Sequence, residues 1–403
     1  MAKDKRKEER PSGGLVILGD LFGMKNSLYE QLRKRTDLSI SGYTWKGRDS
    51  DRRQINLTVL PPEIGIMTNL RVLNLQNHRL RVLPSEIGNL TNLRVLDLSY
   101  NELTALPLEI GDLTNLEVLN LSAAGYIYEW NDEVFDHHEE WDDEAIEKFR
   151  EEETQRYNGG KGNQLEHLPS EIGNLTNLRV LDLSYNRLKE LPPELGNLTN
   201  LEELNLRGNQ LEKLPSTIGN LTNLKILSVR GNQIRGNQLK ELPPEIGNLT
   251  NLKRLDLSFN QLKELPPEIG SMTNLRELDL YSNQLTQWPF EIGNLTNLLE
   301  LDLGGNQLRE LPSEIGNLTN LKRLDLSFNQ LKELPPEIGI MTNLGDLDLY
   351  GNQLTVWPPE IDNMTNLEEL DLRGNQLKEV PSKIDLIWRK IDHSIWPRTD
   401  YRS

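Results

Sequence analysis

The sequence predicts an α/β solenoid in which each coil gives one strand and one short helical turn, with the strands stacked in parallel on a concave side and the turns on a convex side. Three observations predict it. Leucines recur at a fixed 23-residue step across residues 55–381. Within each step a short apolar/polar alternation is followed by a stretch running from proline to glycine. The register is lost at only two places.

The leucine column runs through Leu70, Leu93 and Leu116, then Leu178, Leu201 and Leu224, then from Leu252 through Leu275, Leu298, Leu321 and Leu344 to Leu367. Each member opens the pattern L-x-x-L-x-L-x-x-N-x-L, seen at Leu93, Leu96, Leu98, Asn101 and Leu103, and twelve such coils can be counted. Alternation around Leu96, Asp97 and Leu98 reads as a short strand with leucines inward and the aspartate outward. The asparagine that follows can turn its amide onto backbone groups that the bending chain takes out of the ladder. His78 and Ala124 interrupt that asparagine column. In the second half of a coil, as at Pro243, Pro244, Glu245, Ile246 and Gly247, proline and an acid stand where a helix starts and glycine where it stops. That spacing leaves room for only a short turn.

This unit, with its LPPEIGNLTNL stretch, resembles the cytoplasmic leucine-rich-repeat proteins grouped with Ras-pathway scaffolds and the plant intracellular Ras-group-related proteins, from residue 55 to about 381. The resemblance implies a leucine-rich-repeat horseshoe and a non-enzymatic scaffold that binds a protein on its concave face in intracellular signalling. It transfers no catalytic residue. The domain organisation expected is a tail and cap over residues 1–54, the array over 55–381 and a cap helix and tail over 382–403. The ends of a solenoid expose its core, so caps are needed. Ser27 with Glu30, and Ser382 with Asp385, open helix-start patterns, and Ile384, Trp388, Ile391 and Ile395 fall on one helical face.

Composition excludes several classes of function. The chain has no cysteine, which removes disulfides, thiolate metal sites and cysteine nucleophiles and fits a reducing cytoplasm. A net charge of −17 opposes nucleic acid and anionic membranes as partners. The apolar run Leu15 to Leu18 is too short to span a bilayer. Gly19 to Ser27 sits where a phosphate loop could, but three residues separate Gly19 from Gly23 and Lys25 is not adjacent to serine, so the backbone and lysine cannot converge on phosphate. No cofactor or metal is expected, since the adjacent His137 and His138 point apart on a helix.

The candidate binding face lies between the strand leucines. Asp97 and Asp182 share their position with Asp256, Asp279, Asp302, Asp325, Asp348 and Asp371, the last six in consecutive coils. With strands about 4.8 Å apart this is a column of like charges. Lys253, Arg254, Arg276, Lys322 and Arg323 stand two or three residues earlier and can compensate it. In the last two coils Asp346, Asp348, Glu368, Glu369 and Asp371 meet with no cation beside them, which would steer a partner carrying a basic patch to that end. Tyr100, Tyr185, Phe259, Tyr281, Phe328 and Tyr350 lie one or two places before the asparagine and are the expected anchors. Trp288 and Trp357 replace the leucine of a Leu-Pro step and read as core.

Two features individualise the array. Residues 249–270 and 318–339 are identical, three coils apart. Insertions of 39 and five residues open at the same point of the coil, where the strand turns. The longer, Ala124 to Gly162, carries thirteen acids against four cations and could form an amphipathic helix between Asp132 and Tyr157. Two other classes of function compete with the scaffold. The chain could be the substrate-recognition subunit of an enzyme complex, or a self-assembling structural protein; its oligomeric state is not legible.

Overall fold

A computed structural model describes residues 34–39, 57–123, 162–231 and 236–378. The chain divides into two compact bodies, Met1–Asn209 and Gln210–Ser403. In the first body the strands are β1 (Asp37–Ser39), β2 (Val72–Asn74), β3 (Val95–Asp97), β4 (Val118–Asn120), β5 (Val180–Asp182) and β6 (Glu203–Asn205). In the second they are β7 (Ile226–Ser228), β8 (Arg254–Asp256), β9 (Glu277–Asp279), β10 (Glu300–Asp302), β11 (Arg323–Asp325), β12 (Asp346–Asp348) and β13 (Glu369–Asp371). Within each body consecutive strands pair in parallel with no crossover, as in Arg323↔Asp346, Leu324↔Leu347 and Asp325↔Asp348. Strand β1 pairs Asp37↔Val72 and lies upstream of the first coil that the leucine column marks. Its Leu38 is buried, but no asparagine follows it at the column spacing, so the column begins one strand late.

Alternation has the expected sense: in β3 and the residue after it, Leu96 and Leu98 are fully buried. The helical turns are 3₁₀ rather than α, each five residues long, as in Pro244–Asn248. In that turn Ile246 N–H donates to Pro243 O at 3.0 Å and Leu249 N–H to Ile246 O at 3.1 Å, so each bond closes over three residues. Proline fixes the entry, and Gly247 allows a backbone approach that no side chain permits: a Cβ there would lie 2.4 Å from Glu268 O of the next coil. The isoleucine of these turns, replaced by Leu195 in Pro193–Asn197, seals the leucine core from the far side.

The asparagine column does what its position requires. Asn101 donates through Nδ2 to Leu75 O (2.8 Å), Leu98 O (3.0 Å) and Ser99 O (3.2 Å), while its Oδ1 accepts from Leu80 N–H (3.1 Å). The two expected interruptions are filled. His78 is buried and its Nδ1 accepts from Leu57 N–H at 3.4 Å. Asn163 takes the place assigned to Ala124, accepting from Leu103 N–H and donating to Leu98 O and Leu121 O, because the long insertion opens before the column residue. Both proposed cap helices and residues 124–161 lie outside the described residues. Among the described residues no helix is long and apolar enough to cross a membrane.

Candidate protein-binding face

The aspartate row closes the strands before it meets solvent. Each carboxylate accepts the backbone N–H two residues on: Asp256 from Ser258 (3.0 Å), Asp279 from Tyr281 (2.9 Å), Asp302 from Gly304 (2.9 Å), Asp325 from Ser327 (2.8 Å), Asp348 from Tyr350 (2.8 Å) and Asp371 from Arg373 (2.9 Å). This is the side-chain-to-backbone turn for which aspartate and asparagine are suited, and Asn74, Asn120 and Asn205 make it too. The expectation that this position is simply outward therefore needs correcting. Asp97 and Asp182 in the first body are buried, and the six of the second body are half-buried.

Compensation runs between coils rather than along one strand. Arg254 pairs with Glu277 at 3.2 Å and Arg323 with Asp346 at 3.4 Å, each reaching the first residue of the next strand, and Arg276 stays exposed. The C-terminal end is thus not bare of cations as its sequence suggested: Asp346 has Arg323, and Asp371 is gripped by Arg373, which follows the strand. Glu369, opposite Asp346 in the ladder, is exposed. Such surface pairs are worth about 0–1 kcal/mol each. The least compensated carboxylates lie mid-row. Burial, then Asp325 and Asp279, push Asp302 up to about 8. Burial and Asp256 raise Asp279 to about 6, and burial raises Asp348 to about 6. Burial also raises Asp346 against the pull of Arg323, and it raises Asp182.

The aromatic side chains gather along the same edge of the strands. Phe259 meets Tyr281 edge-on with centroids 5.3 Å apart, and Phe328 meets Tyr350 at 4.8 Å. Three arginines absent from the expected set join them: Arg207 over Tyr185 at 5.3 Å, Arg230 over Phe259 at 4.8 Å and Arg373 over Tyr350 at 5.3 Å. Tyr100, Tyr185, Phe259 and Phe328 have φ between 52° and 58°, a left-handed conformation that glycine occupies in other coils at Gly208, Gly305, Gly351 and Gly374. The recurrence of glycine just before the asparagine was the available signal for that conformation. Of the two tryptophans, Trp288 is buried as expected, whereas Trp357 is only half-buried. An open depression of about 630 Å³ between 3₁₀ turns is lined by repeat-consensus residues such as Gly219, Asn220 and Gly247 and offers no distinctive chemistry.

Stacked coils with a row of polar, aromatic and charged side chains along one sheet define a repeat protein of the interaction-module class. A family model for the leucine-rich repeat region matches residues 53–127, 155–235, 233–307 and 300–385, and the chain belongs to the leucine-rich-repeat family. It is similar to a leucine-rich-repeat protein of Leptospira interrogans, with 37% identity over 83% of this chain and 80% of that one and a TM-score of 0.59. The leucine-rich-repeat ectodomain of the plant membrane receptor kinase GASSHO1/SCHENGEN3 from Arabidopsis thaliana, solved in complex with CASPARIAN STRIP INTEGRITY FACTOR 2, is 28% identical with a TM-score of 0.53. The match covers 83% of this chain and 43% of that one. An internalin of Listeria monocytogenes shares the fold, with 23% identity over 89% of this chain and 93% of that one and a TM-score of 0.62. No curated protein matches significantly. The family's fold is typically a non-enzymatic interaction module.

Proposed function

We propose that the chain is a non-enzymatic scaffold that binds a protein partner through the strand face of its second body, along β8 to β13. The observation that carries this reading is the row itself: half-buried carboxylates with a partly exposed aromatic edge, the composition of an interface anchor set. Mid-row carboxylates raised by burial and by one another favour a partner with a basic patch. The receptor ectodomain solved with its factor supports protein or peptide binding as the mode of use. The proposal includes a cytoplasmic location, with which the lack of cysteine is compatible, and a role in signalling, which rests on the resemblance drawn on the repeat unit. Replacing Phe259, Tyr281, Phe328 and Tyr350 together by alanine should abolish capture of the partner from native lysate without changing the far-ultraviolet circular dichroism. Capture that is unchanged would refute the face. Mass that grows with protein concentration in light scattering would instead favour self-assembly.

A further inference from the structure

The two identical blocks, 249–270 and 318–339, offer an internal comparison within the second body. Phe259 and Phe328 share a backbone conformation, φ 56° and 52°. Each ring has the tyrosine of the following coil on one side, Tyr281 or Tyr350. On the other side they differ. The preceding coil of the first block presents Arg230, whose guanidinium lies 4.8 Å from the Phe259 centroid and completes an arginine–phenylalanine–tyrosine stack. The residue at the same place before the second block is Gly304. The register is fixed by the backbone, since Gly231 N–H donates to Ser258 O and Gly305 N–H to Ser327 O, both at 2.8 Å. Phe259 is accordingly half-buried, whereas the identical Phe328 is 54% exposed.

Other groups stand close around Gly304. A Cβ on Gly304 would stand 2.9 Å from Asp325 Oδ1, 2.9 Å from Ser327 Oγ and 3.0 Å from the Tyr281 ring. Asp302 uses one oxygen to accept Gly304 N–H at 2.9 Å, and its other oxygen has no partner among the described residues. On the reading that the strand face of the second body holds a protein, we propose that the exposed face of Phe328 receives an arginine side chain of that partner, seated as Arg230 is over Phe259, with Asp302 and Asp325 beside the guanidinium. Arginine fits better than lysine because its planar group stacks on a ring while its N–H edge bonds carboxylates. Asp302 itself lies beside Asp325 and Asp279, and burial with these two carboxylates pushes it up to about 8.

The test uses the full chain and fluorescein-labelled tetra-arginine and tetra-lysine peptides, with anisotropy read at near-physiological salt. The intact chain should bind tetra-arginine more tightly than tetra-lysine. Phe328→Gly keeps a backbone that Gly305 and Gly351 already adopt, and it should weaken tetra-arginine by about 2- to 30-fold and erase the preference. Phe328→Leu, which keeps apolar bulk without the ring, should do the same. Phe259→Gly, which removes a ring already covered by Arg230, should weaken tetra-arginine binding less than Phe328→Gly does. Equal losses from the two glycine variants, no arginine preference, or no binding by the intact chain would each overturn the assignment. Continued loss of partner capture in the four-alanine variant would in those cases leave the broader binding face standing.

Discussion

Asn101→Ala is the sharpest probe of what holds the coils in register. Asn101 is fully buried and serves four backbone groups, two of which have other partners: Leu98 O also accepts from Asn163 Nδ2 at 2.9 Å, and Ser99 O from Asn77 N–H at 2.9 Å. The groups left bare are the Leu80 N–H and the Leu75 carbonyl. A buried polar group without a partner costs about 1–3 kcal/mol, so the two together predict a loss of about 2–6 kcal/mol. Asn92 is the control. It donates to Thr68 O at 2.8 Å, as short as the best Asn101 bond, but it is exposed, so water replaces its bond and alanine there should cost under about 1 kcal/mol. Urea unfolding followed by circular dichroism measures both variants, and amide exchange at Leu80 localises the effect. If Asn101→Ala and Asn92→Ala prove equally mild at unchanged m, burial is not what gives the column its weight and the reasoning fails.

The carboxylate row predicts an inverted pH dependence. An aspartate titrates near 3.9 when unfolded, and Asp302 near 8 when folded, so the folded state holds the extra proton; stability is full below about pH 4 and is lost as pH rises towards 8. Asp302→Asn retains the oxygen that accepts Gly304 N–H and should stabilise the chain at pH 8.5 by about 1–3 kcal/mol, with little gain at pH 4, in thermal unfolding at the two pH values; an equal gain at both would contradict this. Deleting residues 124–162 joins Ala123 to Asn163 and restores a 23-residue step from Leu116 to Leu178. Gly162 already packs on Ala123, where a Cβ would be 2.6 Å from Ala123 O, so the melting midpoint should move by only a few degrees. Loss of the cooperative transition would show that the array needs the insertion.

The fold was legible because its cause is periodic. Leucine at a fixed step dictates a stack, alternation dictates a strand, and the asparagine dictates how the strand turns. What the sequence concealed depends on the neighbouring coil. Asp256 and Asp302 are the same residue at the same position, yet Asp256 also accepts the Ser228 hydroxyl at 3.3 Å and Asp302 faces Asp325 and Asp279. Arg323 looked like a cation for its own strand and serves Asp346 on the next. Strand β1 was missed because Leu38 lacks the asparagine that marks every later coil, directly or through His78. A single coil's residues specify its own turn, while charge balance and exposure belong to pairs of coils, and a repeat pattern read one period at a time does not contain them.

The left-handed position before the column asparagine ties this difference to function. Glycine meets the backbone requirement freely, with φ of 65° at Gly305 and 73° at Gly374. An L-residue there carries a penalty of roughly 1–2 kcal/mol, which its side chain must offset to be neutral for folding. Phe259 can do so, because its ring is enclosed between Arg230 and Tyr281. Tyr185 lies under Arg207 and across Gly208, whose Cβ would come within 2.7 Å of the ring. Phe328 bears the same backbone strain with more than half its surface in water, so it returns least to the fold. Strain that internal packing does not offset is what a functional position shows when its stabilising contact comes from outside the chain. By that argument Phe328, rather than the more enclosed Phe259 of identical sequence context, marks where the second body's strand face is completed by its partner.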